Sequence, residues 1–240
     1  MILSVSVALF SVLAGCASTS AEEELLEVEA SENNPGDRDE NPPEMKDYSH
    51  LTTASTVGDV VNHPVFQGFG RYILPLEWRY DPDMKLSNIP SLLPYHNYVD
   101  AGRAVGYINE MIDMVGSGKQ LYYDLGRKDA GLFFFPGNPG APFAVFCPGG
   151  GFSYVGSIHE GFPLALELSK KGYNAFVIQY SVDRGAQSAV EDLSAGIDYI
   201  FAHASELDVS TENYSVWGGS AGARMAAYIG SYTPAAFGNF

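Results

Sequence analysis

Apolar residues recur along this chain in two rhythms. In "AVGYINEMIDMVGSG", Val105, Ile108, Met111, Ile112 and Val115 return every three or four positions. That period predicts one buried face of a helix, closed by Gly116. "QLYYDL" and "GLFFFP" are short β-rich runs bounded by glycine and proline, and they predict two antiparallel strands. From Phe143 onward, continuous apolar runs alternate with amphipathic ones. "FAVFCP", "NAFVIQYSV" and "YSVWGGS" predict strands. "GFPLALELSKKG" predicts a helix with Phe162, Leu164, Ala165 and Leu168 inward and Gly172 at its end. "SAVEDLSAGIDYIFAHA" predicts another, with Val190, Leu193, Ile197, Ile200 and Phe201 on one face, and "AGARMAAYIG" a third. Strands apolar on both sides, alternating with helices, imply an α/β fold: a mostly parallel sheet with helices on both faces. Right-handed crossovers then fix the winding. Upstream, "VNHPVFQGFGRYILPLEW" and "IPSLLPYHNYV" lack a clean period and predict an irregular lead-in packed over the core.

The first 54 residues read differently. "MILSVSVALFSVLAGCAS" is apolar but short for a membrane span and ends in small residues. Within it, Leu13-Ala14-Gly15-Cys16 resembles the lipobox of bacterial lipoproteins. The resemblance implies that residues 1–16 are a lipoprotein signal ending at the lipobox cysteine, with the peptide before Cys16 removed, Cys16 acylated, and the protein lipid-anchored in the bacterial cell envelope outside the cytoplasm. The basic residues that usually precede the apolar run are absent, and a plain secretory signal cut near Ala17 is the alternative. Residues 17–50 carry 11 acidic side chains against Arg38 and Lys46, which places -9 of the net -16 there. Such a segment buries too little apolar surface to offset its ordering entropy, so residues 17–54 are expected to be a disordered, self-repelling tether. One domain follows over 55–240, with the lead-in at 55–117 and the core at 118–240. At 46% hydrophobic residues, the chain has enough for one sizeable core.

Charge and metal-binding residues narrow the function. The acidic balance, with no basic cluster, argues against a nucleic-acid partner. The two cysteines, Cys16 and Cys147, have no reason to meet, and the five histidines are scattered. Neither a disulfide framework nor a metal site is expected, and no cofactor is implied.

Two glycine-rich stretches carry candidate chemistry. Gly218-Gly219-Ser220-Ala221-Gly222 fits G-x-S-x-G and lies between an apolar strand and a helix. There a tight turn would hold Ser220 in strained backbone geometry, with its hydroxyl lifted above the sheet. The helix N-terminus favours negative charge beside it. The second stretch is Pro148-Gly149-Gly150-Gly151-Phe152, after an earlier strand. Acyl transfer builds an oxyanion that needs preorganised backbone N–H donors, and glycines allow close approach. A phosphate-binding loop is the other use of such a turn, but neither G-x-G-x-x-G nor a following Gly-Lys-Ser/Thr is present.

The two stretches in this order, about 70 residues apart with two helix–strand units between, resemble the α/β-hydrolase fold. More narrowly, they are similar to its bacterial acetylesterase-like and hormone-sensitive-lipase-like branch, over residues 118–240. The resemblance implies Ser220 as nucleophile, with Gly150, Gly151 and Ala221 as oxyanion donors. Where that branch has His-Gly-Gly-Gly, this chain has Pro148, which removes the hydrogen bonds by which the histidine would brace the loop. The family's triad continues with an Asp or Glu and then a His. The 20 residues after Ser220 contain none of these, so the chain reads as lacking the C-terminal strands of its domain, and as unstable and inactive alone.

Earlier residues offer weak substitutes. His159 precedes a helix and reads as a capping or packing residue more readily than as a base. His203 reads as a surface residue, Asp183 as a solvated loop residue at the site rim, and Asp192 as a surface or helix-positioning carboxylate. The function expected is serine esterase acting on short acyl esters of a small molecule or glycan, with acetyl suggested by the family alone. A serine peptidase of the same fold and a non-catalytic surface-binding lipoprotein stay open beside it.

Overall fold

The computed structural model describes residues 48–77, 79–93 and 99–232. Cys16, the apolar leader, the acidic stretch up to residue 47 and His96 lie outside them. The lead-in contains α1 (Val57–Val61) and three 3-10 turns at Pro64–Phe66, Gly70–Tyr72 and Leu86–Leu92. Then come α2 (Ala101–Gly116), β1 (Tyr122–Arg127), β2 (Ala130–Phe135), β3 (Pro142–Cys147) and a π-helical turn at Ser157–Gly161. After it run α3 (Phe162–Lys170), β4 (Asn174–Gln179), α4 (Gly185–Ala202), β5 (Ser210–Gly218) and α5 (Ser220–Tyr232). One five-stranded sheet results, in the order β1-β2-β4-β3-β5.

β1 and β2 pair antiparallel, as the two short runs predict, and β2 pairs antiparallel with β4. β4, β3 and β5 are parallel. The continuous apolar runs have a simple physical reason: each strand alternates its side chains between two covered faces. Phe133, Phe135, Ala144, Phe146, Ala175 and Val177 join the cluster beneath the lead-in, α2 and α3. Leu132, Phe134, Phe143, Val145, Phe176 and Ile178 join the opposite cluster with α4 and α5. Burying each such phenylalanine contributes on the order of 2 kcal/mol.

Several helix details differ from the sequence expectation. α2 is capped at its start by Asp100, whose carboxylate accepts from Arg103 N at 2.7 Å. Its end is not set by Gly116, which is still helical. Ser117 is the cap, and Gly118 takes the left-handed conformation, φ +86°. In α3, Leu164 faces solvent, and Leu166 takes the inward place beside Phe162 and Ala165. Gly172 does close that helix, at φ +89°. In α4, Phe201 is exposed although its ring edge meets Phe143 and Tyr214. Asp192 is no surface carboxylate: it is 1% exposed.

Residues 48–54, placed in the tether by composition, lie against α2. The backbone of Leu51 exchanges two hydrogen bonds with the Asn109 side chain, at 2.9 and 3.0 Å, and His50 Nε2 stands 2.7 Å from Asp113.

Candidate functional site

Sheet winding decides where a site can form. After β3 the chain passes to α3 on one face. After β5, the neighbouring strand, it passes to α5 on the other. Connections leaving in opposite directions open a crevice between the carboxyl ends of β3 and β5, where open α/β sheets bind ligands. The triglycine loop rises from the end of β3, and Ser220 stands just past the end of β5.

At Ser220 the backbone has φ +49°. For a residue with a side chain this left-handed geometry is costly and persists only when its surroundings enforce it. Two glycines allow the enforcement. A Cβ on Gly218 would lie 2.3 Å from Gly222 O, and one on Gly222 would lie 1.8 Å from Cys147 O. The first turn of α5 therefore rests directly on the end of β3. Gly219 N donates to Cys147 O at 3.2 Å, and Ala223 N donates to Gly219 O. Ser220 itself is exposed at the crevice. Ala221 lies in the first helical turn, whose N–H groups have no intrahelical acceptor.

Across the crevice, the Gly149 backbone approaches Ser220 so closely that a Cβ there would be 3.0 Å from Ser220 Cβ. Gly150 and Gly151 have φ +138° and +62°. The loop's carbonyls turn inward: Gly149 O accepts from Gly156 N at 2.9 Å, and Gly150 O from Ser153 N at 3.0 Å. In a trans peptide the N–H points opposite the carbonyl of the same plane. The N–H groups of Gly150 and Gly151 accordingly point away from the loop interior. The structure thus brings Ser220, Gly150, Gly151 and Ala221 to the two walls of one crevice.

Three neighbours of the loop were not singled out in the sequence. Glu160 Oε2 accepts a hydrogen bond from Gly149 N at 2.6 Å. Tyr180, fully buried, donates to Pro148 O at 2.9 Å and to Gly149 O at 3.3 Å. Burial pushes its phenol far above the usual range, so it remains a donor. Glu77, from the lead-in, meets Gln179 Nε2 at 3.4 Å and the backbone of Val155, and burial raises its carboxyl to about 7. Weak signals did exist: Glu160 is the sole acidic residue between Gly151 and Phe162. Tyr180 follows the carboxyl end of a strand, where crevice residues are found.

The remaining candidates have other roles. His159 is buried in the π-helical turn, its ring against Gly156 and its Nε2 3.5 Å from Glu160 Oε1. His203 is half-buried, stacked on Tyr199 and bonded through Nδ1 to Tyr199 O. Asp183 is exposed and pairs with Lys128 at 2.6 Å. Asp192 accepts from Ser181 N at 2.9 Å and Arg127 Nε at 2.6 Å, tying α4 to β1. Burial raises the Cys147 thiol well above its ordinary value and keeps it protonated.

Residues 136–237 match the BD-FAE family. The chain is similar to an acetylxylan esterase of Xylanibacter ruminicola, 29% identical over 102 residues, 42% of this chain and 21% of that protein. It is also similar to an endo-1,4-beta-xylanase B of Butyrivibrio fibrisolvens, 32% identical over 87 residues, 34% of this chain and 14% of that one. The chain therefore spans about a fifth or less of the length of these relatives. Among solved structures, a sugar hydrolase from Lactococcus lactis aligns at 28% identity over 45% of this chain and 46% of that one, TM-score 0.42. A thermophilic esterase from Thermogutta terrifontis aligns at 22% identity over 44% and 42%, TM-score 0.41. The crevice between β3 and β5, the strained serine at its mouth and the BD-FAE match over residues 136–237 identify an α/β-hydrolase fold.

Proposed function

We propose that this protein is a serine carboxylic-ester hydrolase that removes short acyl groups, acetyl foremost, from a glycan. The observation that carries the reading is Ser220 at φ +49°, facing a triglycine loop so close that a Cβ on Gly149 would lie 3.0 Å from Ser220 Cβ. Ser220 Oγ attacks the ester carbonyl, and the oxyanion is met by the N–H groups of Gly150, Gly151 and Ala221. The alcohol leaves, and water then cleaves the acyl-enzyme. The acetylxylan esterase and the xylanase among the relatives support a glycan ester as substrate.

A serine needs a base to be a strong nucleophile. Covalent labelling and substrate turnover test the reading. A fluorophosphonate probe should label Ser220 and not the Ser220→Ala variant, and p-nitrophenyl acetate should be hydrolysed while peptide amides are not. Labelling that survives Ser220→Ala would sink the reading. We also propose a lipid anchor at Cys16 that holds the enzyme on the outer side of a bacterial membrane. Intact mass of the mature N-terminus tests this: an unmodified or absent Cys16 would refute it.

A further inference from the structure

We propose that Glu160 is a positioning residue: with Tyr180 it clamps the Pro148–Gly149 peptide and thereby aims the N–H groups of the triglycine loop at the oxyanion position. The inference rests on the serine-hydrolase reading of the same crevice. A run of three glycines is the least ordered backbone a chain can offer, yet an oxyanion hole works only if its donors are fixed before the reaction. Something outside the loop must fix them. The position where the resembling enzymes have a bracing histidine is Pro148, whose side chain has no polar atom to supply a hydrogen bond.

The structure supplies the brace from two other elements. The Pro148–Gly149 peptide is gripped at both ends: Pro148 O accepts from Tyr180 Oη at 2.9 Å, and Gly149 N donates to Glu160 Oε2 at 2.6 Å. Carbonyl and N–H of one trans peptide point in opposite directions, so the two side chains press on it from opposite sides. The next peptide is held as well, since Gly149 O accepts from Gly156 N at 2.9 Å and from Tyr180 Oη at 3.3 Å. With both planes fixed, the Gly150 N–H has one direction left, outward.

Glu160 also fits between the loop and the serine turn. Its Oε2 would lie 2.9 Å from a Cβ on Gly149 and 2.8 Å from one on Gly219. The same carboxylate therefore spaces the two walls of the crevice. Its position is set by the π-helical turn Ser157–Gly161, which carries it back over the loop from the start of α3. A hydrogen bond from an N–H to a carboxylate at this length is among the stronger kinds.

The experiment compares Glu160→Ala, Glu160→Gln and Tyr180→Phe with the wild-type protein. The readouts are fluorophosphonate labelling rate, p-nitrophenyl acetate kinetics and amide hydrogen exchange. Loop misplacement of about 1 Å is worth about a hundredfold in rate. Glu160→Ala should slow labelling by roughly tenfold to a hundredfold, lower kcat in parallel and leave KM nearly unchanged. Exchange at Gly149 should rise while β3 and β4 stay protected. Glu160→Gln keeps an acceptor oxygen and should recover labelling to within about threefold of wild type. Tyr180→Phe should reproduce the kcat loss from the other end of the peptide. An Ala variant that melts earlier but labels at the wild-type rate would overturn the proposal. So would a Gln variant as slow as Ala, which would make charge and not hydrogen bonding the cause. Absence of labelling in the wild type would instead refute the serine-hydrolase reading, with the exchange result still reporting on the clamp.

Discussion

Replacing Glu77 by glutamine should stabilise the protein most above neutral pH and least near pH 5. Glu77 lies in the lead-in against Gln179, at the end of β4, and the backbone of Val155. Burial raises its carboxyl from an ordinary 4.5 to about 7, while hydrogen bonds from its own backbone, Gln179 and Val155, and the Arg71 charge, pull the other way. Its Oε2 and Gln179 Oε1 are both buried acceptors without a hydrogen-bond partner among the described residues. The sign follows from linkage. Below about 4.5 both folded and unfolded chains hold the proton. Between 4.5 and 7 the unfolded chain releases it and the folded chain does not, so stability falls as pH rises through that window. Each tenfold change in proton affinity is worth about 1.4 kcal/mol. The full shift therefore amounts to about 3 kcal/mol, and about 1–3 kcal/mol after allowance for the partial exposure of the side chain.

Urea unfolding of wild type and Glu77→Gln at pH 5, 6, 7 and 8 measures this directly. Titrations common to both proteins cancel in the difference. The stability difference should be smallest at pH 5, about a quarter of its final size, and should favour the glutamine by about 1–3 kcal/mol at pH 8. Parallel curves across the range, or a glutamine variant that loses stability at pH 8, would refute the account.

Two further substitutions probe the scaffold. Gly222→Ala places a methyl 1.8 Å from the Cys147 carbonyl; because the obstacle is backbone, β3 and α5 must separate, and the urea midpoint should fall by the equivalent of about 3 kcal/mol or more. Asp192→Ala leaves Arg127 and the Ser181 donors without their buried acceptor, which should cost about 3–5 kcal/mol, and Arg127→Met in the same chain should recover part of it.

How much of this was legible in the sequence depended on the range of each interaction. The strands were legible because Phe133, Phe135, Val145 and Val177 sit in runs whose every position is covered, a local property of the chain. The antiparallel joint between β2 and β4 was not, since pairing between residues about 45 apart leaves no periodicity. Leu164 and Phe201 were misplaced because helical spacing fixes which residues share a stripe, not how far the covering neighbours extend around it. Of the two readings of Asp192, surface or helix-positioning, the fold supports the second, and the choice was not legible because its partner Arg127 is 65 residues away and comes alongside only once the sheet forms. At the site, Ser220 and the triglycine loop were legible because tight turns and close backbone approach demand particular residue types at fixed spacing. Glu160 was not, because any polar residue before a helix looks like a solvated one until the π-helical turn folds it back.

The end of β4 explains how a glycine loop can be rigid. Its three consecutive residues Gln179, Tyr180 and Ser181 are all nearly fully buried, and each binds a different neighbour. Gln179 meets Glu77 of the lead-in. Tyr180 holds Pro148 and Gly149. Ser181 binds Asp192 of α4, which in turn holds Arg127 of β1. Buried polar groups tolerate little displacement, because any lost hydrogen bond leaves a desolvated atom behind. Moving the triglycine loop would therefore strain contacts on both faces of the sheet at once. The loop's first peptide owes its order to the packed core through Tyr180, and to the π-helical turn through Glu160.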